Sequence, residues 1–411
     1  MMRRFRRISG ILVAILLLLR QSLAHAEFKL TDAIQEFGEK RFIKTTPTRL
    51  QYGPLKFHPF VRNRIEYDDN ILLESRDARE DVVFNIKPGA ILEIPLQRHQ
   101  VAVGYEAEFE IFAKERHAKQ NDQNQSFFVL ADLQFPSWYI NVLEQFSETS
   151  GRAGTTFTDR IPRIDQSIHP KIGYHWKRFT VESSFRHFAR DFRRQIDDPL
   201  DFQLVEWMGV LYYDLFARLK ALVDYQFAQI DYDDNFSRNG NINQTRLGLE
   251  GQLIPNLTVK LRAGPQFRNY KISGEPNFNS WVAYSEVLYD FRKNLRLKFN
   301  FSRDAVEATF ENINYYKEHS FGGGFEYRLG SKWIAFTDLK LIRHDYSERS
   351  IIDTRTMFRR DHHIFLKPGI RYELQEWISF ELAYEYLRRN SNFSEFDFTD
   401  HRVGLTTTLS Y

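Results

Sequence analysis

The sequence predicts an all-β fold, a transmembrane antiparallel up-and-down β-barrel of the bacterial outer membrane. Three observations predict it: long segments in which apolar and polar residues alternate, links between them that are alternately short and long, and an apolar leader at the N-terminus. Segments of this length suit about 18 membrane-crossing strands, with about 16 as the alternative count. Short turns are expected on the periplasmic side and long loops outside the cell.

The first residues have the pattern of a secretory signal peptide. Arg3 and Arg4 belong to a basic head, an apolar run covers 11–19, and Ala24-His25-Ala26 fits a cleavage site between small residues. The apolar run is too short to cross a bilayer as a helix. We therefore expect three segments: a signal peptide (1–26), a short periplasmic segment (27–56) and the barrel (57–411).

Composition excludes several other classes of protein. The chain contains no cysteine, so no disulfide framework or thiolate metal site is available. Hydrophobic residues make up 42%, mean hydropathy is -0.49, and no later apolar run is long enough for a spanning helix. The 57 basic and 54 acidic residues nearly balance, which argues against a nucleic-acid partner. We expect no catalytic residue, no cofactor and no bound metal.

A period of two residues repeats from about residue 57 to the C-terminus. In 101–111 every second residue is apolar and the residues between are mostly glutamate, and 219–227 and 257–263 alternate in the same way. Such alternation indicates strands with one apolar and one polar face. The predicted strands are 57–67, 81–94, 100–113, 125–135, 138–147, 164–176, 179–190, 202–213, 218–231, 242–253, 257–270, 280–290, 295–303, 313–329, 333–346, 361–374, 377–389 and 398–411.

The links between these strands alternate in length. A soluble meander has no reason to keep loop length in phase with strand number, whereas an outer-membrane barrel does. The short links include 136–137, 177–178, 254–256, 330–332 and 375–376. The long, polar links are 68–80, 114–124, 148–163, 191–201, 232–241, 271–279, 304–312, 347–360 and 390–397.

Aromatic residues and prolines add two expectations about the wall. Tryptophan gathers where hydrocarbon meets headgroups, so four tryptophans beside short turns predict an interfacial girdle: Trp138, Trp176, Trp333 and Trp377. Proline removes a donor from the strand ladder, and glycine is adjacent to three of the four prolines inside predicted strands, so we expect bulges or kinks there: Pro88, Pro170, Pro265 and Pro368.

Charged residues occupy the polar phase of many strands, which should face the lumen. One interpretation is a mesh of ion pairs between neighbouring strands. The other is a selectivity surface that attracts anionic solutes or an acidic polysaccharide. For that surface the sequence offers six lumenal candidates: Arg246, Lys260, Arg262, Arg268, Arg296 and Lys298.

Two smaller motifs also permit alternatives. Tyr-Asp-Asp-Asn occurs at 67–70 and 232–235, where calcium binding is conceivable but turn formation is the simpler interpretation. A hydrolase (lipase or protease) embedded in the barrel is the alternative class of function. Its candidates rest on residue type alone: His319-Ser320, His344-Asp345 and His362-His363.

The opening of the predicted barrel resembles the putative β-barrel porin type 2 family. The resemblance covers Phe57-His58-Pro59-Phe60-Val61 through Tyr67-Asp68-Asp69-Asn70-Ile71, then Asp81-Val82-Val83 and Ile86-Lys87-Pro88-Gly89. It implies an outer-membrane channel, porin-like, for hydrophilic solutes or for exopolysaccharide export. A plugged structural or adhesive barrel remains another alternative.

The expected partners follow from this class of protein. An outer-membrane barrel contacts outer-membrane lipid and lipopolysaccharide. The final strand alternates and ends in the aromatic Tyr411, the kind of signal that the barrel-assembly machinery recognises. By resemblance, exopolysaccharide or its export apparatus is a further partner.

Overall fold

The computed structural model describes residues 50–114, 122–151, 160–233, 238–271, 277–308, 313–352 and 355–411. The signal peptide predicted for 1–26 and most of the segment predicted for 27–56 lie outside the described residues, so these boundaries stay predictions. Within the described residues the chain forms one antiparallel sheet of 19 strands.

The strands follow one another around the sheet in chain order. They are β1 (Leu50–Tyr52), β2 (Leu55–Asp68), β3 (Asp81–Leu96), β4 (His99–Phe112), β5 (Asp122–Gln134), β6 (Trp138–Thr149), β7 (Arg163–Trp176), β8 (Phe179–Phe192), β9 (Phe202–Phe216), β10 (Leu219–Tyr232), β11 (Gly240–Ile254), β12 (Leu257–Tyr270), β13 (Phe278–Arg292), β14 (Leu295–Glu307), β15 (Tyr315–Leu329), β16 (Trp333–Ile352), β17 (Arg355–Gln375), β18 (Ile378–Ser391) and β19 (Phe398–Ser410).

The sheet closes into a barrel of 18 strands. Each strand from β2 to β18 pairs with the next, and β19 pairs with β2 from Arg402↔Asp68 to Ser410↔Phe60. The N–H of Tyr411 donates to the carbonyl oxygen of Pro59 at 3.0 Å, at the end of this seam. The three-residue strand β1 only forms a small hairpin with the start of β2. The prediction of 18 strands is confirmed, and the alternative count of 16 is wrong.

The wall separates apolar from polar side chains as the period of two requires. Large apolar residues such as Phe299, Leu247 and Leu405 are exposed on the outside. Their chain neighbours point into the lumen, where a central charge avoids the cost of about 2–4 kcal/mol that it would carry against lipid. Among the described residues, no helix is long and apolar enough to cross a membrane.

One predicted loop is wrong, because most of 347–360 is strand. β16 and β17 run for 20 and 21 residues, and their pairing continues from Arg349↔Phe358 to Ile352↔Arg355 beyond an irregularity after Asp345. A strand pair that projects beyond the membrane has water on both faces. It therefore needs no apolar face, and its polar sequence has the appearance of a loop.

The expected proline bulges are also wrong. At Pro88 the register with β2 is unbroken through Val61↔Pro88, and the register with β4 is the same before and after the proline, from Ile86↔Phe109 to Gly89↔Glu106. No residue is inserted. The ladder only loses the pairs at 87 and 88 on one side, and the same one-sided gap occurs at Pro170, Pro265 and Pro368.

Two glycines of the wall are covered by an aromatic ring from the neighbouring strand. The ring of Phe128 on β5 covers Gly104 on β4, its directly paired residue, and Phe336 covers Gly369 in the same way. A β-carbon at either glycine would overlap the ring. Aromatic–glycine pairs of this kind fill the space that glycine leaves and pin the strand register.

The tryptophan girdle is present for three of the four residues predicted. Trp138, Trp176 and Trp333 are exposed on the outer wall at its periplasmic end, and Trp333 packs at a tilt against Tyr372 with ring centroids 4.5 Å apart. Trp377 instead lines the lumen. It belongs to the turn before β18, where the alternation that fixes a strand residue's side does not apply.

Candidate functional site

The lumen contains a cavity of about 1260 Å³ whose lining runs from the periplasmic turns to Val83 and Glu110, near the extracellular ends of β3 and β4. Turn residues such as Ser331, Gln375 and Trp377 line it, so it reaches the periplasmic mouth. Ten basic and eight acidic side chains contribute to its wall. We call this space the periplasmic vestibule; its surface is highly charged but close to neutral in total.

Ion pairs between strands organise the charges of the vestibule. Glu385 on β18 accepts from Lys367 on β17 and from Arg64 on β2, each at 2.9 Å. Arg64 also pairs with Glu66 on its own strand. Because β19 lies between β18 and β2, the bond from Arg64 to Glu385 crosses the closing strand and ties three strands together.

A second network surrounds Asp224 on β10, halfway up the lumen. Its carboxylate is fully buried and pairs with Arg246 at 2.9 Å and with Arg262 at 3.3 Å. Arg262 also reaches Glu250 at 3.1 Å. Two of the predicted selectivity residues are therefore held by carboxylates.

The other four candidates lie above and below this network. Arg268, near the extracellular end, is almost fully buried, pairs with Glu307 and donates to the carbonyl oxygen of Ala305 at 2.8 Å. Lys260 lies in register between Glu250 and Glu286. Arg296 and Lys298 line the vestibule, and Arg296 pairs with Asp290 at 2.7 Å. The six candidates form a column over most of the lumen height, interleaved with carboxylates.

The extracellular end of the lumen combines buried apolar side chains with buried ion pairs such as Arg359–Asp361 and Arg402–Asp400. Three isoleucines of the long loops, Ile71, Ile161 and Ile313, are at most 2% exposed. They pack on lumenal strand residues that include Phe112, Phe192 and Tyr346. Contacts of this type fold the loop bases over the lumen. These contacts could not be predicted, because single apolar residues in polar loops have no periodic pattern.

The two residues in each pair proposed for a hydrolase lie on opposite sides of the barrel wall. Adjacent residues of a strand face opposite sides, so His344 is buried in the lumen while Asp345 is outside, and His363 is inside while His362 is exposed outside. The lumen instead brings together inward-facing residues from neighbouring strands. The rings of His344 and His363 lie 4.7 Å apart, and His344 Nε2 is 3.1 Å from Glu318. The sequence would have predicted this group of His344, His363 and Glu318 if the inward-facing positions of neighbouring strands had been compared.

Two groups of described residues have donor atoms close enough for a metal ion. Atoms of His344, Asp361 and His363 lie within 4.8 Å of one another, and so do atoms of Asp68, Asp69 and Asp400. In both groups an arginine already forms an ion pair with at least one of the carboxylates. Arg359 binds Asp361 through two hydrogen bonds of 3.0 and 2.6 Å, and Arg402 contacts Asp68 at 3.2 Å and Asp400 at 2.5 Å.

The first Tyr-Asp-Asp-Asn motif forms a turn. Asp68 accepts from the N–H of Asn70 at 2.8 Å, and the Asn70 side chain accepts from the N–H of Glu74 and donates to its carbonyl oxygen, both at 2.9 Å. Asp69 accepts from the N–H of His401 at 2.7 Å, which fastens the turn to β19. The end of the second motif at 232–235 lies outside the described residues.

An 18-stranded closed barrel with an apolar outer wall and a charged lumen defines a porin-like channel of the bacterial outer membrane. The chain belongs to the family described as "Putative beta-barrel porin 2", whose family model matches residues 199–411. The match lies in the C-terminal half of the chain. The resemblance expected from the sequence is thereby confirmed.

Solved structures are similar to the chain at low sequence identity. OccAB4 of Acinetobacter baumannii is 10% identical with a TM-score of 0.50, and the alignment covers 89% of this chain and 100% of that one. The outer membrane protein OpdK of Pseudomonas aeruginosa is 10% identical with a TM-score of 0.47, over 87% of this chain and 99% of that one. The similarity to OccAB4 supports the fold alone. No curated protein matches the chain.

Proposed function

We propose that the protein is a passive conduit, without catalysis, for the passage of a hydrophilic solute or an exopolysaccharide across the outer membrane. The periplasmic vestibule carries this proposal. A polar polymer or solute entering from the periplasm meets a wall of paired charges and hydrogen-bonding groups, in which no single patch would hold it tightly. Weak, repeated binding is what conduction requires.

The asymmetry of the lumen supports export rather than uptake. The charged space opens at the periplasmic mouth. The extracellular end is packed instead, by the apolar contacts of Ile71, Ile161 and Ile313 and by the buried ion pair of Arg359 with Asp361. A cargo would therefore be received on the periplasmic side and would displace the loop bases on leaving. Polysaccharide is the cargo that the family resemblance suggests.

The selectivity hypothesis is tested by neutralising three cations that lie low in the lumen. Lys260→Gln, Arg296→Gln and Lys298→Gln together remove positive charge near Glu286 and Glu326, and these carboxylates would remain. We expect the anion-over-cation permeability ratio in planar bilayers to fall by a factor of about two or more, because the wall then attracts cations.

The matched control removes three arginines from the outer wall instead, by Arg303→Gln, Arg343→Gln and Arg360→Gln. Its permeability ratio should equal that of the unaltered protein. An unchanged ratio in the lumenal triple variant would contradict a selectivity role and leave the six candidates as a structural mesh.

The cargo is tested by conductance in the presence of polysaccharide. Added on the periplasmic side, an acidic polysaccharide that is a cargo should produce resolved blocking events, and a neutral one of equal length should produce fewer. A current that neither polymer changes would restrict the proposal to small solutes.

The buried extracellular contacts favour a second candidate, a plugged structural barrel. In that case single-channel recording should show no ion current at any voltage that the bilayer tolerates. A steady current would exclude this candidate.

A further inference from the structure

A group of basic side chains lies on the outer wall at the extracellular ends of β14 to β18. In one row, Arg303, His319, Arg343 and His362 lie directly opposite one another on neighbouring strands. In the next row Lys317 and Arg360 stand on either side of Asp345. We call this group the outer basic patch: Arg303, Lys317, His319, Arg343, Arg360, His362 and Arg388.

The outer basic patch faces the lipid side of the wall. Two residues nearer the periplasm on the same strands, and on the same face, are Phe301, Phe321, Leu341 and Ile364. Phe321, Leu341 and Ile364 are exposed as lipid-facing residues are. The arginines themselves reach outward, with about half of the Arg343 and Arg360 side chains exposed. The patch therefore lies where the hydrocarbon ends and the headgroups of the outer leaflet begin.

The carboxylate of Asp345 positions the patch without neutralising it. Its Oδ1 accepts from Arg343 Nη2 and from Arg360 Nε, each at 2.9 Å, and its Oδ2 is 4.0 Å from His319. Arg303 is held separately, over the ring of Trp281 at 4.2 Å and by a 3.0 Å bond to Ser280. One carboxylate thus orients guanidinium groups in a patch that carries five lysine and arginine side chains.

The rest of the described outer wall lacks such an excess at this level. The outward positions near the extracellular ends of β5, β11 and β13 include the amides Gln123, Gln125, Asn241, Asn243 and Asn279. Two other basic side chains at this level are ion-paired: Lys271 pairs with Asp231 at 2.6 Å, and Arg193 pairs with Glu148 at 2.8 Å. The positive charge is therefore local, and it is confined to five adjacent strands.

We propose that the outer basic patch binds the phosphate groups of lipopolysaccharide in the outer leaflet. Guanidinium groups bind phosphate through paired hydrogen bonds, and their positive charge complements it. Three strand spacings separate Arg303 from His362, a width of roughly 14 Å, which accommodates more than one phosphate of a lipid headgroup. The acyl chains would then lie along the apolar residues directly below.

The test measures binding of labelled lipopolysaccharide to the full barrel, extracted in detergent and stripped of lipid. The triple variant Arg303→Gln, Arg343→Gln and Arg360→Gln should bind at least about tenfold more weakly, since each basic group near an anionic lipid surface contributes appreciably. Binding should also weaken as salt concentration rises.

Two further variants separate a lost site from a lost fold. The lumenal triple variant Lys260→Gln, Arg296→Gln and Lys298→Gln changes the charge equally and should bind as the unaltered protein does. Replacing the three patch arginines by lysine keeps the charge and should retain more affinity than glutamine does. Equal binding by the glutamine variant and the unaltered protein, or equal binding of lipid A with and without its phosphates, would overturn the proposal.

Discussion

Asp201, in the extracellular loop before β9, is a carboxyl group whose surroundings oppose its charge. Burial raises its pKa to about 6, and the nearby Asp191, Asp198 and Asp233 raise it further. The N–H of Phe192 donates to its Oδ1 at 2.7 Å, which acts in the other direction. Since the folded state favours the protonated form, this group stabilises the loop at low pH, and that contribution is lost as pH rises through about 6.

Replacing Asp201 with asparagine should stabilise this loop at neutral pH. Asparagine keeps an oxygen that can accept from the N–H of Phe192, but it carries no charge. Limited proteolysis at the 193–201 loop should be faster at pH 8 than at pH 5 in the unaltered protein, and this difference should shrink in Asp201→Asn. Asp77→Asn, in another long loop, is the control and should keep the difference. Proteolysis that is faster at pH 5 would contradict the sign of the effect.

At the level of single residues, the sequence predicted the side of the wall but not the contacts. The period of two placed Arg246, Arg262 and Arg268 in the lumen, where the structure has them. It could not show that Asp224 and Glu307 would hold them, because that depends on the stagger between strands. Whether the six candidates control selectivity stays a prediction.

Single strands show how tightly the wall is assembled. Gly104→Val on β4 would place a branched side chain where the ring of Phe128 lies. Overpacking of this kind costs about 1–3 kcal/mol, so we expect a lower free energy of unfolding, measured by urea titration in lipid vesicles.

The control for this prediction is Gly323→Val on β15. A β-carbon there meets nothing closer than 3.8 Å, and valine favours strands. This variant should be as stable as the unaltered barrel or more so. If the two variants lose equal stability, steric conflict with the aromatic ring is not the cause.

Strands were predictable wherever one face meets lipid and the other meets water. All 18 barrel strands lie close to their predicted positions, since a period of two over a full crossing is a strong signal. The 347–360 segment was missed because paired strands in water need no apolar face. The prediction of a bulge at Pro88 was wrong. The strand loses its backbone pairing with one neighbour at the proline, while its pairing with the other neighbour keeps the register.

The whole molecule should respond differently to a polymer on its two sides. A short dextran added on the periplasmic side can enter the vestibule and should lower single-channel conductance. The same dextran added outside meets the packed loop bases and should have a smaller effect. Conductance recorded with protein inserted in a known orientation tests this, and a stronger effect from outside would contradict the asymmetry of the lumen.

Closure, membrane placement and the class of protein were predictable for the whole molecule, while the state of the lumen was not. Strand parity and loop length are properties of the entire chain and are visible in its sequence. The vestibule and the packed extracellular end depend on where loop residues fold. Those contacts, such as Ile71 on Phe112, join residues with no common pattern.

The pairing of β19 with β2 has a consequence for assembly. Every other barrel strand pairs with a neighbour in sequence, at the small entropic cost of closing a short loop, whereas this pair joins residues more than three hundred positions apart. It can form only once the last strand has been delivered. Until then the growing sheet has two unsatisfied margins, which hydrocarbon does not tolerate. Strand β19 therefore closes the barrel. A chain that lacks it would keep two unpaired strand edges and would have to be shielded or degraded.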